Sequence, residues 1–384
     1  MSAAWRGAAA IVGVAESDLG RVPEGLSSLD LIGQATAGAL AEAGLGTEDV
    51  DALYTTSAYF PMSALVTAEY LGVRPRVADG TNIGGSTFVA QAVRAAQAIA
   101  AGEVEVALIC YSSTQLSDGG RLVTTNRPLS YEGEFSPRFP ISMFALATAR
   151  HMHEFGTTRE QLAEVAVAAR RWAQLNPKAY ARDELSVEDV LGSRMVSDPL
   201  TVRDCCLVTD GGGAVVMTSA ERARDLPQEP VYVLGGGEAT DHANLSQMPD
   251  LTTTAAAVSG ARAWETSGLG PADMDVVQLY DAFTINPVLF LEDLGFCAKG
   301  EGGAFVADGG IAPGGRLPVN TSGGGLSYCH PGMFGIFLLI EATRQLRGET
   351  GARQVAGART ALVHGNGGAL ASEVTAVLGT ADTL

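Results

Sequence analysis

The chain carries two copies of one plan, and no other feature constrains its fold as strongly. Gly44-Leu45-Gly46-Thr47-Glu48-Asp49-Val50-Asp51 returns as Gly268-Leu269-Gly270-Pro271-Ala272-Asp273-Met274-Asp275. Each copy lies between an amphipathic helical pattern and a strand-like run, residues 52–56 in one and 276–280 in the other. Further on, Thr81-Asn82-Ile83-Gly84-Gly85-Ser86-Thr87-Phe88 has a counterpart in Thr321-Ser322-Gly323-Gly324-Gly325-Leu326-Ser327-Tyr328. Both precede a helical stretch that feeds a strand, 104–111 and 359–364 respectively. Matches in one order with unequal spacing are the mark of a duplication with insertions. They predict two similar halves, residues 1–227 and 228–384.

Helical and strand signals alternate within each half, so the fold class is α/β. Residues 8–15 read as a buried strand. Ser27 and Ser28 can cap a helix whose apolar positions include Leu29, Ile32, Ala39, Leu40 and Ala43, with Gly44 as its stop. Residues 86–101 form an alanine-rich helix ending at Gly102, and 213–218 a further strand. The stretch 116–207 does not fit the repeat. It holds Arg127-Pro128, Ser136-Pro137-Arg138-Phe139-Pro140, Asn176-Pro177 and helical patterns at 143–155 and 159–175. An insertion of that length in a compact unit is expected to cap a site.

Composition removes several function classes. Lys+Arg number 25 against 43 Asp+Glu, a net charge of −18, which makes a phosphate-backbone binder unlike this chain. With 46% hydrophobic and 18% charged residues the chain is no disordered segment. No run approaches the roughly 18 apolar residues of a membrane span. The first residues show no secretory pattern of charge, apolar stretch and cleavage site. Five scattered cysteines without a C-x-x-C pair suit a reducing compartment, and a cytoplasmic location is expected.

Chemistry concentrates in three places. Tyr280-Asp281-Ala282-Phe283 closes a predicted strand, where α/β sites tend to lie. Tyr280 can serve there as general acid or base, or be a core tyrosine with a satisfied hydroxyl. Ser327-Tyr328-Cys329-His330-Pro331-Gly332 precedes a helix expected over 333–346, whose free N–H groups can hold an oxyanion. His330 is the imidazole best placed to hydrogen-bond an enolate oxygen. Cys329 invites a nucleophile reading beside a commoner structural one. Val363-His364-Gly365-Asn366-Gly367-Gly368 turns tightly after a strand, with His364 either lining the cavity or holding the turn. No metal signature is expected: His151 and His153 point apart on a helix, and Cys205-Cys206 cannot both face one site. Glu292-Asp293 reads as a solvated helix face.

These residues resemble the thiolase superfamily, in particular its sterol-carrier-protein-thiolase and lipid-transfer-protein branch. Gly13-Val14-Ala15 opens the resemblance, and 143–177 with His153-Glu154-Phe155-Gly156-Thr157 looks like that branch's cap helices. Pro199-Leu200-Thr201 through Cys205-Cys206 to Asp210-Gly211-Gly212-Gly213-Ala214 is similar to its stretch ending in Ser-Asp-Gly-Ala-Ala. Tyr280-Asp281-Ala282-Phe283 stands where the branch has His-Asp-Cys-Phe and other thiolases Asn-Glu-Ala-Phe. Residues 321–331 resemble the loop Pro-Ser-Gly-Gly followed by Gly-His-Pro.

The resemblance implies a five-layer αβαβα sandwich of two pseudo-symmetric halves with an inserted cap, and a homodimer. It implies acyl-CoA substrates, with coenzyme A entering as part of the substrate and no tightly bound cofactor. Asp281, Ser322, Gly323, Gly324, Cys329, His364 and Gly365 would then line the substrate, and His330 carries over from the Gly-His-Pro motif. Two departures matter. The half-one turn that bears the thiolase nucleophile has Gly84, Gly85 or Ser86 in the cysteine's place, and His364 or Gly365 stands near the second cysteine.

Without the thiolate, acyl transfer lacks its attacker. What remains suits retro-aldol cleavage of a β-hydroxy acyl-CoA, of the kind performed by steroid side-chain aldolases that this chain resembles. Those aldolases work with a small OB-fold, zinc-ribbon-like partner. Tyr280 and Tyr328 are the expected proton-transfer pair, with His330 at the enolate oxygen. The alternatives are an acyl-CoA C-acyltransferase using Cys329 and a non-catalytic lipid- or acyl-CoA-binding subunit.

Overall fold

The computed structural model describes residues 4–118 and 132–384, so Arg127-Pro128 lies outside the described residues. In chain order the first half runs β1 (Ala9–Glu16), α1 (Ser28–Ala43), β2 (Ala52–Thr55), α2 (Ser63–Leu71), β3 (Val77–Asp79), α3 (Thr87–Ala100) and β4 (Val106–Ser113). The inserted region contributes α4 (Ile141–Phe155), α5 (Arg159–Gln174), α6 (Val187–Leu191) and a small hairpin, β5 (Met195–Ser197) with β6 (Leu200–Thr201). The chain then returns through β7 (Gly211–Ser219) and α7 (Ala220–Ala223). The second half comprises β8 (Val231–Thr240), α8 (Ala256–Ser267), β9 (Val276–Leu279), α9 (Ile285–Asp293), α10 (Gly302–Val306), α11 (Gly335–Arg347), β10 (Thr360–Gly367) and β11 (Ser372–Gly379).

The duplication read from the glycine-rich segments reappears in the order of the strands. From the junction outward the first half reads β1-β7-β4-β2-β3 and the second β8-β11-β10-β9. Pairing follows suit: β1–β7 and β8–β11 are antiparallel, as are β4–β7 and β10–β11, whereas β2–β4 and β9–β10 are parallel. A parallel bridge between Val277 and Val319 stands where β3 stands in the first half. Within the sheet the halves join through Ala10–Tyr232 and Ile11–Val231 in β1 and β8, which makes the nine-stranded order continuous.

Helices fill three layers around these strands. α1 covers β1, β4 and β7 from outside, and α8 covers β8 and β11. α3 and α11 lie between, each touching strands of both halves and each other. That is the αβαβα stacking expected of the chain. The central strands are correspondingly buried on both faces, with every residue of β4 buried. α1 starts as expected at Ser27, in a capping box where Ser27 Oγ accepts from Asp30 N and Ser27 N donates to Asp30 Oδ2, and it stops at Gly44 with φ 68°. α11 begins at Gly335, later than expected, because 324–328 forms a π-type turn and Cys329 is extended.

The inserted region is riveted to the second half by polar groups, and here one expectation is overturned. Glu292 and Asp293 are no solvated face: their side chains are 0% and 1% exposed. Glu292 accepts from Gly302 N and pairs with His151 Nε2 of α4 at 3.0 Å, while Lys299 reaches both carboxylates. His151 is thereby taken into this link, its Nδ1 2.8 Å from Thr157 Oγ1, and His153 points outward. α9 is apolar on the side facing the core, yet its last turn is roofed by α4 and α10, which local sequence does not reveal.

Removing the Glu292 carboxylate leaves the groups that converge on it without their buried acceptor, a loss of about 3–5 kcal/mol. Glu292→Ala should lower the unfolding free energy by roughly that amount in urea denaturation. A solvated helix position would give a change within about 0.5 kcal/mol.

Candidate active site

A cavity of about 480 Å³ opens where the inserted region meets both halves. Its floor is the turn at Gly84 and Gly85 before α3 together with Tyr280 and His330. Asn366 and Gly368 from the end of β10 form one side, and Gln115, Gly332 and Met333 another. The inserted region supplies an apolar wall of Phe139, Pro140 and Phe144, facing Phe283 across ring centroids 4.3 Å apart in the Phe144–Phe283 pair. Cys206, Leu207 and Val208 complete it.

Tyr280 is the centre of the polar floor. It follows β9, whose N–H and carbonyl ladder with β10 carries the backbone to the cavity; Tyr280 N donates to His364 O. Its hydroxyl lies 3.0 Å from His330 Nε2 and accepts from Phe334 N at 3.1 Å, at the start of α11. A side chain at position 85 has no room, since a Cβ there would fall 2.2 Å from the Tyr280 ring and 2.5 Å from its oxygen. Gly335 likewise lets α11 close on the Gly85 carbonyl, where a Cβ would come within 2.3 Å. The phenol therefore fills the space in front of α3 that a side chain at 85 would need. Ser86 does not compete: it is buried, its Oγ donating to Ile83 O and Ser372 Oγ.

Burial sets the protonation of this floor. It drives the Tyr280 phenol well above its usual range, against the Phe334 N–H, which favours the phenolate. It lowers His330 from 6.5 to about 4, so the imidazole is neutral. In the Nδ1–H tautomer of this neutral ring, Nε2 would accept from the Tyr280 hydroxyl. Asp281 is pushed up to about 7 by burial, opposed by N–H bonds from Gly325 at 2.6 Å and Leu326 at 3.3 Å.

Tyr280 and His330 thus meet in one cavity, while other residues singled out in the sequence lie elsewhere. Tyr328 does not pair with Tyr280: its hydroxyl donates to Glu16 at 2.7 Å, in a buried cluster with Arg344. Cys329 is 0% exposed behind the wall, with burial holding its thiol far above the ordinary range. Asp281 and the turn of Ser322, Gly323 and Gly324 stand one layer back, where Asp281 clamps the turn that delivers His330. The inserted region braces that turn through Asn176 Nδ2 on Ser322 O and Arg170 on Ser327 Oγ.

His364 does not line the cavity but lies deeper on β10, its Nδ1 2.9 Å from Thr375 Oγ1, and Gly365 packs on Ser86. Two positions further along the same face of β10, at the strand's end, Asn366 reaches the cavity wall. Of the adjacent cysteines only Cys206 lines it, because Cys206 N pairs with Ala282 O and turns that residue inward. Asn366, Cys206 and the Phe139–Phe144 wall carried no local signal that set them apart.

Comparison with known proteins places this chain in a family. Residues 237–380 match the model of a thiolase C-terminal domain-like family. The chain is 37% identical to an acetyl-CoA acetyltransferase of Methanothermobacter thermautotrophicus over 94% of its length and 96% of the relative's. It is equally 37% identical to the 17-hydroxy-3-oxo-4-pregnene-20-carboxyl-CoA lyase of Mycobacterium tuberculosis, over 93% of this chain and 96% of that one. Among solved structures the Ltp2-ChsH2(DUF35) aldolase superposes with a TM-score of 0.89 at 32% identity, over 98% of both chains. The chain belongs to the thiolase superfamily, in its sterol-carrier-protein-thiolase and lipid-transfer-protein branch. Among the described residues no helix is long and apolar enough to cross a membrane.

The neutral floor has a measurable signature. His330 binds no proton in the folded state until about pH 4, whereas the unfolded imidazole titrates near 6.5. Its contribution to stability is complete above 6.5 and is lost as pH falls toward 4. The stability difference between wild type and His330→Asn should therefore shrink on acidification, with a slope approaching ~1.4 kcal/mol per pH unit. Asp281 acts with the opposite sign but is common to both proteins. A pH-independent difference between pH 7 and 4.5 in chemical denaturation would mean that the imidazole is not held neutral.

Proposed function

We propose that this chain catalyses retro-aldol cleavage of a β-hydroxy acyl-CoA thioester, of steroid side-chain type, to a ketone or aldehyde and a shorter acyl-CoA. The observation that carries the proposal is Tyr280 seated against Gly85: a phenol paired with a neutral imidazole occupies the ground in front of α3, and no thiol stands there. As the β-hydroxyl gives its proton to the Tyr280 oxygen, the phenol's own proton passes to His330 Nε2. The Cα–Cβ bond breaks, the carbonyl product leaves, and the electron pair remains as a thioester enolate. Because burial disfavours the imidazolium, the proton returns through Tyr280 to Cα. No net proton is gained or lost.

Further features agree with this reading. The apolar wall of Phe139, Phe144 and Phe283 suits a rigid hydrocarbon portion of the substrate. Likeness to the lyase and to the aldolase supports the substrate class and a small OB-fold, zinc-ribbon-type partner that binds acyl-CoA, around a homodimeric core. Coenzyme A enters as part of the substrate, and the site residues supply the acid–base chemistry without a bound cofactor.

The acetyltransferase relative supports acyl transfer as a second reading. That chemistry needs a thiolate, and burial raises both Cys206, the thiol in the cavity wall, and Cys329 behind it. With iodoacetamide near pH 7, neither should be modified in the folded protein on the timescale that labels the unfolded chain. Rapid single-site labelling, read by mass spectrometry, would favour the transferase.

The decisive test is product analysis. With its partner present, the wild type should release a carbonyl product from a steroid β-hydroxy acyl-CoA, and Tyr280→Phe should lose roughly 10²–10⁴-fold in rate. Thiol-dependent acyl transfer with no carbonyl product would overturn the proposal. Binding without turnover would point to a carrier subunit.

A further inference from the structure

The carbanion reading leaves one requirement unmet. An enolate oxygen needs a hydrogen-bond donor, and His330, expected to provide it, has Nε2 engaged with the Tyr280 hydroxyl at 3.0 Å. Among the polar side chains of the cavity wall, Asn82 is turned to its own loop, its Oδ1 accepting from Gly84 N. Asn366 is different. It is 3% exposed, it forms part of the wall, and its Oδ1 is wholly buried with no partner.

Behind Asn366 lies a chamber of polar groups that the mechanism does not otherwise use. Asn366 pairs with Glu373 across β10 and β11, and His364 with Thr375, which puts their side chains on one face. Phe290 of α9 covers His364 at 4.5 Å between centroids, and Asn286, one helical turn before Phe290, lies on the same helix face. Asn286, His364 and Glu373 are each 0% exposed. Both amide atoms of Asn286 and Glu373 Oε1 lack hydrogen-bond partners, whereas His364 Nε2 and Glu373 Oε2 face one another at 3.1 Å.

Burial of this many unpartnered polar atoms is costly unless ordered water joins them. Burial, together with the Asp293 charge, drives Glu373 well above the carboxylate range, so it is present as an acid with a proton to donate. With Glu373 facing His364, the unpaired Nδ2 of Asn286 is the donor this chamber leaves for the buried Oδ1 of Asn366. With its carbonyl end held there, the amide presents its N–H groups to the cavity.

We propose that Asn366 is a further catalytic residue, whose carboxamide donates to the thioester oxygen as the enolate forms while its carbonyl end is anchored in the Asn286–His364–Glu373 chamber. The proposal rests on the enolate chemistry above but not on which carbon–carbon bond is broken. A neutral amide suits the task, because it stabilises developing charge without competing for the proton that Tyr280 and His330 exchange.

The test is incorporation of deuterium at the α-carbon of propionyl-CoA in D₂O, followed by mass spectrometry on the full chain with its partner. This exchange reports enolate formation even if the retro-aldol reading fails. Asn366→Ala should slow it roughly 10²–10³-fold, as loss of one oxyanion donor does. Affinity for a propyl-CoA thioether, which lacks the carbonyl, should remain within about twofold. Asn366→Asp, nearly identical in shape, should slow exchange at least as much, because a carboxylate opposes the enolate. Glu373→Gln should weaken exchange less than Asn366→Ala, since it leaves the Asn366 carboxamide in place. Exchange within about threefold of wild type in Asn366→Asp would overturn the proposal. So would an equal loss of thioether binding in Asn366→Ala, or absence of exchange in the wild type.

Discussion

α3 and α11 begin against one another, and the chemistry of the cavity follows from how closely they approach. The contact is made by backbone: Gly335 lies on the Gly85 carbonyl, and neither position tolerates a side chain without displacing its neighbour. The gap in front of the two helix starts is left for one group, the Tyr280 hydroxyl, which takes an N–H from Phe334. Helix starts carry unpaired N–H groups and a positive end of the dipole, so such a place favours an oxygen that gathers negative charge. Here that oxygen belongs to a phenol supplied by the other half of the molecule.

The surroundings keep the site neutral at rest. Tyr280 is raised, His330 lowered and Asp281 raised, in each case chiefly by burial. Among the described residues no carboxylate lines the cavity, so protons move along hydrogen bonds as the substrate changes. This arrangement differs from the buried charge cluster nearby, where Glu16 is held to about 2 by Arg344 and Lys178 against the effect of burial. Tyr328 belongs to that cluster and serves to join β1 to α11. The two tyrosines look alike in sequence, yet one ends in a neutral cavity and the other beside an ion pair.

Much of the fold was legible because it is periodic. The Ser27 cap, the Gly44 stop and the strand of 106–113 are local signals, and the repeated segments announced two similar halves before any strand order was known. β8 and β11 were not legible. Gly235, Gly236 and Gly237 interrupt the apolar pattern of β8, and their reason is tertiary: a Cβ at Gly237 would fall 2.2 Å from the Ser259 carbonyl of α8. Glu292 and Asp293 misled in the same way, since two adjacent carboxylates on a helix are ordinarily solvated and only the roof of α4 and α10 buries them. His364 outranked Asn366 in the sequence because imidazole is the more reactive group. Position along β10, not the face of the strand, decides which of the two reaches the wall.

The sequence by itself determined the duplicated α/β plan, the inserted region and the absence of a cysteine from the half-one turn, because each is written in neighbouring residues. It also pointed to Tyr280 and His330, fifty positions apart, as members of one site. Only the tertiary structure decided that these two share a hydrogen bond, that Tyr328 and Cys329 lie behind the wall, and that Asn366 lines the cavity. The reason is physical: a side chain's reach is local, but its partner, its burial and hence its proton affinity are set by whatever the rest of the chain packs against it.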